Sequence, residues 1–153
     1  MEIISSVADL RAAIGKELGP GEWFTVEQSR IDGFADDTED HQWIHVDPER
    51  AASGPFGTTV AHGFLTLSLV PHLADGVRRL DGVRMGINYG LDKIRFPTPV
   101  PVGSRVRATV VVTDVTDLPD GGVQMVNRVT VELEDAPKPA CVADMVTRTH
   151  FES

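Results

Sequence analysis

Cysteine is nearly missing from this chain: Cys141 is the only one in 153 residues. No internal disulfide can form, and a reducing, cytoplasmic setting is expected. Basic residues are also few: 14 Lys and Arg against 23 Asp and Glu leave a formal net charge of −9. No basic run offsets that charge, which argues against sequence-independent binding to nucleic acid or to an anionic membrane. Long apolar runs are lacking, and the most apolar window, Phe64–Ala74, is too short to span a bilayer. The opening stretch MEIISSVADLRAAIGKEL has no basic segment ahead of an apolar core, so it does not read as a secretory signal. No glycine-rich dinucleotide or phosphate loop occurs, since Gly54-Pro55-Phe56-Gly57 lacks the spacing. Internal repeats, linkers and low-complexity segments are missing too. What remains is ordinary for a globular protein, 24% charged and 41% apolar, and long enough for one domain, residues 1–153, with a full core.

Taken in order, Ser5 or Ser6 can cap a first helix in which Val7, Leu10, Ile14 and Leu18 recur at helical spacing until Gly19-Pro20-Gly21 stops it. Trp23–Val26 reads as extended. Thr25 and Gln28 fit a capping box for a second helix ending in the acidic cluster Asp36, Asp37, Glu39, Asp40. From Asp40 to Thr59 the chain reads as loop, with a helical turn at Pro48–Ala52. From His62 to about Arg79 it reads as one helix, roughly 25 Å long, buried on most sides and kinked at Pro71. Four strands follow, Met85–Phe96, Arg105–Leu118, Val123–Glu134 and Cys141–Phe151, with turns at Pro119–Gly122 and Ala136–Pro139. An α+β, hot-dog arrangement results: an antiparallel meander wrapped around one long helix. Its open edge and exposed apolar surface call for a homodimer.

Chemistry concentrates between Phe34 and Leu69. Asp40 and His45 place a carboxylate and an imidazole five residues apart in a segment too polar for core, and His62-Gly63 opens the long helix. A paired acid and base beside a helix N-terminus suits protonic chemistry on a carbonyl compound, each partner in such catalysis being worth about 10²–10⁴-fold. The bland alternatives are a loop carboxylate for Asp40 and a hydrogen-bonded loop histidine for His45. Gly63 offers a helix-start N–H to a developing oxyanion, or is a plain helix-start glycine. His62 reads as a cap or packing residue rather than a catalyst. His41-x3-His45 has zinc-helix spacing, but Gln42 stands where a metalloprotease needs glutamate and Pro48 follows closely; no metal is expected. Cys141 reads as a buried small hydrophobe. Asn88 and Tyr89 either edge the pocket or, as the favoured reading, lie in core or interface. Arg95, Arg105 and Arg107 read as surface residues on strands, or as contacts to the phosphates of a ligand.

Asp40-His41-Gln42-Trp43-Ile44-His45-Val46-Asp47-Pro48, followed by Ala61-His62-Gly63-Phe64-Leu65, resembles the GDxNPxH and His-Gly elements of MaoC-like (R)-specific enoyl-CoA hydratases. With NYGLDKIRFPTPVPVGS downstream, the wording is most similar to the nodulation-protein-N-like branch. The resemblance covers the chain after its first helix. It implies that Asp40 and His45 jointly hold the water added to a trans-2-enoyl thioester, with Gly63, Gln42 and His62 on the substrate side. It implies no resident cofactor: coenzyme A, or acyl carrier protein, belongs to the substrate. Which of the pair is base and which is acid stays open, since coupled groups titrate together.

Departures from the pattern are local. Glu39 replaces a glycine, and Gln42-Trp43 replaces Asn-Pro; Trp43 either lines the acyl tunnel or seals the loop. A serine found in some members falls at Pro71, with Ser68 one turn earlier. Two rivals stand beside the hydratase. A hot-dog acyl-CoA thioesterase would want a helix carboxylate, and none lies between His62 and Ala74. A non-catalytic acyl-thioester-binding protein fits the substitutions at Glu39 and Trp43.

Overall fold

The computed structural model describes residues 1–152. Its core is a six-stranded sheet laid over a short helical segment. Strands β6 (Arg105–Asp117), β7 (Val123–Leu133) and β8 (Cys141–Phe151) follow one another antiparallel, as their alternation predicts. On β7 burial alternates along the strand: Val123, Met125, Asn127, Val129 and Val131 face in, because successive side chains point to opposite faces.

The sheet is not a simple meander. β5 (Val83–Arg95) pairs with β8 at the far edge rather than with β6, giving the order β6-β7-β8-β5 for the long strands. The reason lies in the connection after β5. Pro97, Pro99 and Pro101 alternate along it, keeping it extended and short of N–H donors, so no tight hairpin can form. That segment runs beside residues 59–61 instead: Ala61 N–H donates to the Val100 carbonyl (2.8 Å) and Val102 N–H to that of Thr59 (3.0 Å). β2 (Glu17–Leu18) and β3 (Phe24–Thr25) complete the β6 edge.

The first helix, α1 (Val7–Ala12), is shorter than its spacing suggests. Ser6 caps it by accepting from the Asp9 N–H, but Gly15 sits at φ 80° and turns the chain into β2, where Leu18 pairs with Val110. The expected capping box at Thr25 does not form. Thr25 is a strand residue opposite Arg105, and α2 (Gln28–Thr38) starts after Glu27 without a side-chain cap. The stretch from Asp40 carries one helical turn in place of loop, α3 (Trp43–Val46), and the turn expected at Pro48–Ala52, α4.

The central helix is two pieces, α5 (Gly63–Ser68) and α6 (Val70–Asp75). Pro71 has no N–H for the Leu67 carbonyl, so regular bonding lapses at Leu69 while the helical path continues through Leu69–Leu65 and Leu73–Leu69 bonds. It stops before Arg79 because Arg78–Leu80 is a strand, β4, paired in parallel with β1 (Glu2–Ile4). Leu65, Leu69, Val70 and Leu73 bury one face among Val106, Ala108, Val110, Val129 and Ala143. Phe64 on the opposite face is exposed, so this helix is amphipathic rather than buried all round. With those revisions the fold is the α+β hot-dog arrangement. No helix among the described residues is long and apolar enough to cross a membrane.

Candidate active site

The site is assembled from the end of α2, the turn α3 and the start of α5. α2 ends at Glu39, whose φ of 60° is left-handed. That is the conformation a glycine accepts without strain, which explains why the family pattern has glycine there. Glu39 keeps the geometry, and the chain turns so that Asp40 leads into α3.

His45 lies on α3 and is 7% exposed. Its Nδ1 is 2.6 Å from the Val60 carbonyl. A carbonyl only accepts, so Nδ1 carries the proton and Nε2 is left with its lone pair. Burial holds this imidazole below its ordinary value of 6.5; the neighbouring His62 pushes the same way, while the Val60 bond and the Asp40 carboxylate push back. His62, 2% exposed, stacks on His45 with ring centroids 3.8 Å apart. Its Nε2 donates to the backbone carbonyl of Asp40 (2.9 Å), and its Nδ1 is buried without a partner. A carboxylate oxygen of Asp40 and one ring nitrogen each of His45 and His62 lie within 4.8 Å of one another. Asp40 itself is exposed, its Oδ1 3.4 Å from the Gln42 N–H.

Beside His45 is a cleft of about 340 Å³ walled by Ile44, Phe56, Val60, Thr66, Phe96 and Val100. Gly63 forms part of its floor, with the Phe96 ring so close that a Cβ there would sit 2.9 Å from it. As the first residue of α5, Gly63 has an N–H with no partner inside the helix. Apolar walls, one imidazole lone pair and a free amide are the makings of a site for an apolar chain ending in a carbonyl.

Asp40, His45, His62 and Gly63 are thus gathered within one turn of chain on either side. Gln42 is not part of the gathering: its side chain is exposed and outside the cleft, and it serves through its carbonyl, which accepts the His45 N–H (2.9 Å). His62 does not line the cleft either; it backs His45, and Phe34 tilts against its other surroundings at 5.0 Å. Trp43 seals the loop. Arg50 lies over its ring at 4.4 Å, and a Cβ on Gly54 would meet its edge at 2.8 Å. His41 spends its ring on Asp36 (2.8 Å), and Ser68 bonds back to the Phe64 carbonyl (2.7 Å). Arg105 and Arg107 pair with Glu134 and Glu132 on the strand surface.

One contributor was invisible in the motif. Gln28 Nε2 donates to the His45 carbonyl (2.8 Å), and its Oε1 accepts from the buried Thr59 Oγ1 (2.6 Å). It ties α2 to α3 and to the segment carrying Val60. Nothing in its local sequence marks it except the capping position that it does not fill.

The MaoC-like domain model matches residues 9–134. The 3-hydroxyacyl-thioester dehydratase Z of Mycobacterium tuberculosis is 57% identical over 97% of this chain and 98% of its own length. Nodulation protein N of Rhizobium leguminosarum bv. viciae is 48% identical over 96% of this chain and 92% of its own. Among solved structures, the (R)-hydratase from A. caviae involved in PHA biosynthesis superposes with a TM-score of 0.63 at 27% identity, over 85% of this chain and 96% of that one. Near-complete coverage at this identity, on the same fold and with the Asp-x4-His element set against the His-Gly helix start, places the chain in the MaoC-like family of dehydratases and hydratases.

Proposed function

We propose that the protein is a hydro-lyase that adds water reversibly to a trans-2-enoyl thioester, giving the (R)-3-hydroxyacyl thioester, with coenzyme A or acyl carrier protein as the handle. The observation that carries this reading is that a ring nitrogen of His45 lies within 4.8 Å of an Asp40 carboxylate oxygen, while His45 and Gly63 both line the apolar cleft.

A water held between Nε2 and the carboxylate can donate a hydrogen to each, which orients its remaining lone pair outward. As that oxygen bonds to C3, the C2–C3 π electrons move toward the thioester carbonyl. The Asp40–His45 pair takes one proton from the water and returns one to C2, both on the same face of the chain. The carbonyl oxygen gathers negative charge meanwhile, and in this reading the Gly63 N–H is the donor it meets; a single such donor is worth about 10²–10³ in rate. This chemistry asks for no resident metal or redox cofactor. The cleft's stereochemical sense is supported by the (R)-hydratase likeness.

We further propose a homodimer built on β5. Met85, Ile87, Tyr89 and Leu91 are all exposed along this edge strand, an arrangement soluble proteins normally cover.

The test is crotonyl-CoA hydration, followed as loss of the enoyl absorbance. Asp40→Asn and His45→Gln, each folded, should lose about 10²–10⁴-fold in kcat. A near-normal rate in either removes the pair from the mechanism. Release of free thiol in the wild type in place of hydration would identify a thioesterase.

A further inference from the structure

One helical turn beyond Thr66, a second cavity of about 370 Å³ opens between α6 and strands β5, β7 and β8. Val70, Pro71 and Ala74 form its helix side and Val129 part of its floor. Toward the end of α6 the lining changes character. Arg78 is only 8% exposed, and its Nη1 donates to the Oδ1 of Asn127 (2.9 Å), itself 2% exposed. Asn127 interrupts the inward row Val123, Met125, Val129, Val131 on β7, where an apolar residue would pack without a polar group to satisfy. Thr147, from the neighbouring strand, lines the same cavity with a buried Oγ1 that has no hydrogen-bond partner among the described residues.

A guanidinium has five N–H donors, and the Arg78 side chain has one hydrogen bond, to a neutral amide. Among the described residues no carboxylate lies within 4.0 Å of it. Asp75, exposed where it lines the cavity, acts on Arg78 through space and is the acid that offsets part of the burial, which draws the guanidinium below its ordinary range. Keeping a cation in such a place is unfavourable unless something negative joins it. Planar guanidinium forks match a carboxylate's two oxygens, and an adjacent hydroxyl can donate a third bond.

We propose that this cavity binds a carboxylate, gripped by Arg78 with Thr147 as a second donor. The group arrives either on a free medium-chain acid or as the far end of a substrate's acyl chain. Gly63, Thr66, Val70 and Ala74 share one helix stripe, so the cleft and the cavity lie along the same face. The chain-borne version rests on the hydratase reading; the free-acid version does not.

Two measurements on the intact protein test it. The first compares kcat/KM for trans-2-enoyl-CoA substrates of matched length ending in a methyl or in a carboxylate. The second titrates octanoate and, as its uncharged counterpart, octanol, by calorimetry. A preference for the carboxylate of about 10–100-fold is expected in the first if the group is chain-borne, and in the second if it is a free acid. Arg78→Met should bring that ratio close to one, and the near-isosteric Thr147→Val should lower it several-fold even if the arginine variant fails to fold. The proposal is overturned if the wild type shows neither preference, or if the preference survives in folded Arg78→Met. Failure to hydrate any enoyl thioester would sink the hydratase reading alone, leaving the octanoate titration to decide the cavity.

Discussion

Glu39 holds a backbone conformation that costs an L-residue about 1 kcal/mol relative to glycine, at φ 60° on the residue before Asp40. Glu39→Gly should therefore stabilise the fold by about 1 kcal/mol, seen as a rise in Tm of about 2–4 °C, with the Asp40 geometry unchanged. An unaltered or lower Tm would mean that the glutamate side chain compensates for the strain. His45 makes the second residue-scale prediction. Its folded pKa is below 6.5 chiefly because the ring is buried, so the unfolded chain binds the proton more readily. The stability it contributes is fully present above 6.5 and is lost as pH falls through the depressed folded value. Activity should fall over the same acid range, since a protonated Nε2 cannot accept from water. In denaturant melts across that range, His45→Gln should flatten the slope of stability against pH. The pair was a candidate in the sequence through its resemblance to the family's Asp-x4-His and His-Gly elements, since the spacing by itself fits a loop carboxylate and a loop histidine equally well. The stacking of His62 on His45 was not legible there, because it joins two segments with no shared periodicity.

At the scale of elements, the site is a junction held by side chains that the motif does not contain. Gln28→Ala removes both bonds that tie α2 to α3 and to Thr59. The buried Thr59 hydroxyl and the His45 carbonyl each lose a partner, at about 1–3 kcal/mol in stability. The rate should drop more than the substrate affinity, since His45 is displaced while the apolar cleft remains; an unchanged kcat would show that α3 is held without it. Gly63→Ala drives a methyl to within 2.9 Å of the Phe96 ring. Crotonyl-CoA hydration should fall sharply in that variant, and Phe96→Leu in the same chain should restore part of it by making room. Failure of the rescue would place the effect of Gly63 in the backbone alone. The central helix teaches a related point. Its apolar pattern runs past Asp75, yet Arg78–Leu80 became a strand because β1 offered it a ladder, and tertiary pairing overrides local periodicity.

At the scale of the whole molecule, β5 is the least self-sufficient part. It is paired on one side only, and Ile87 and Tyr89 are 46% and 59% exposed. Ile87→Asp with Tyr89→Glu should convert a dimer to a monomer in sedimentation and lower hydration in step. A wild type that sediments as a monomer at micromolar concentration would end the dimer proposal. Cys141, by contrast, is wholly buried, its thiol pushed by burial up to about 11, and it packs as the small hydrophobe its surroundings suggest.

Local alternation and turn residues were enough to determine the four long strands and the fold class, because each depends on neighbours a few positions apart. The Asp40–His45 candidate pair came from its likeness to a family motif. Only the tertiary structure decided that β5 crosses to the far edge, that Pro71 divides the helix, and that Gln28 braces His45. It alone brought Arg78, Asn127 and Thr147 together in the lining of a second cavity. These are contacts between residues distant in sequence, set by which surfaces could be buried together, and no local period carries that information.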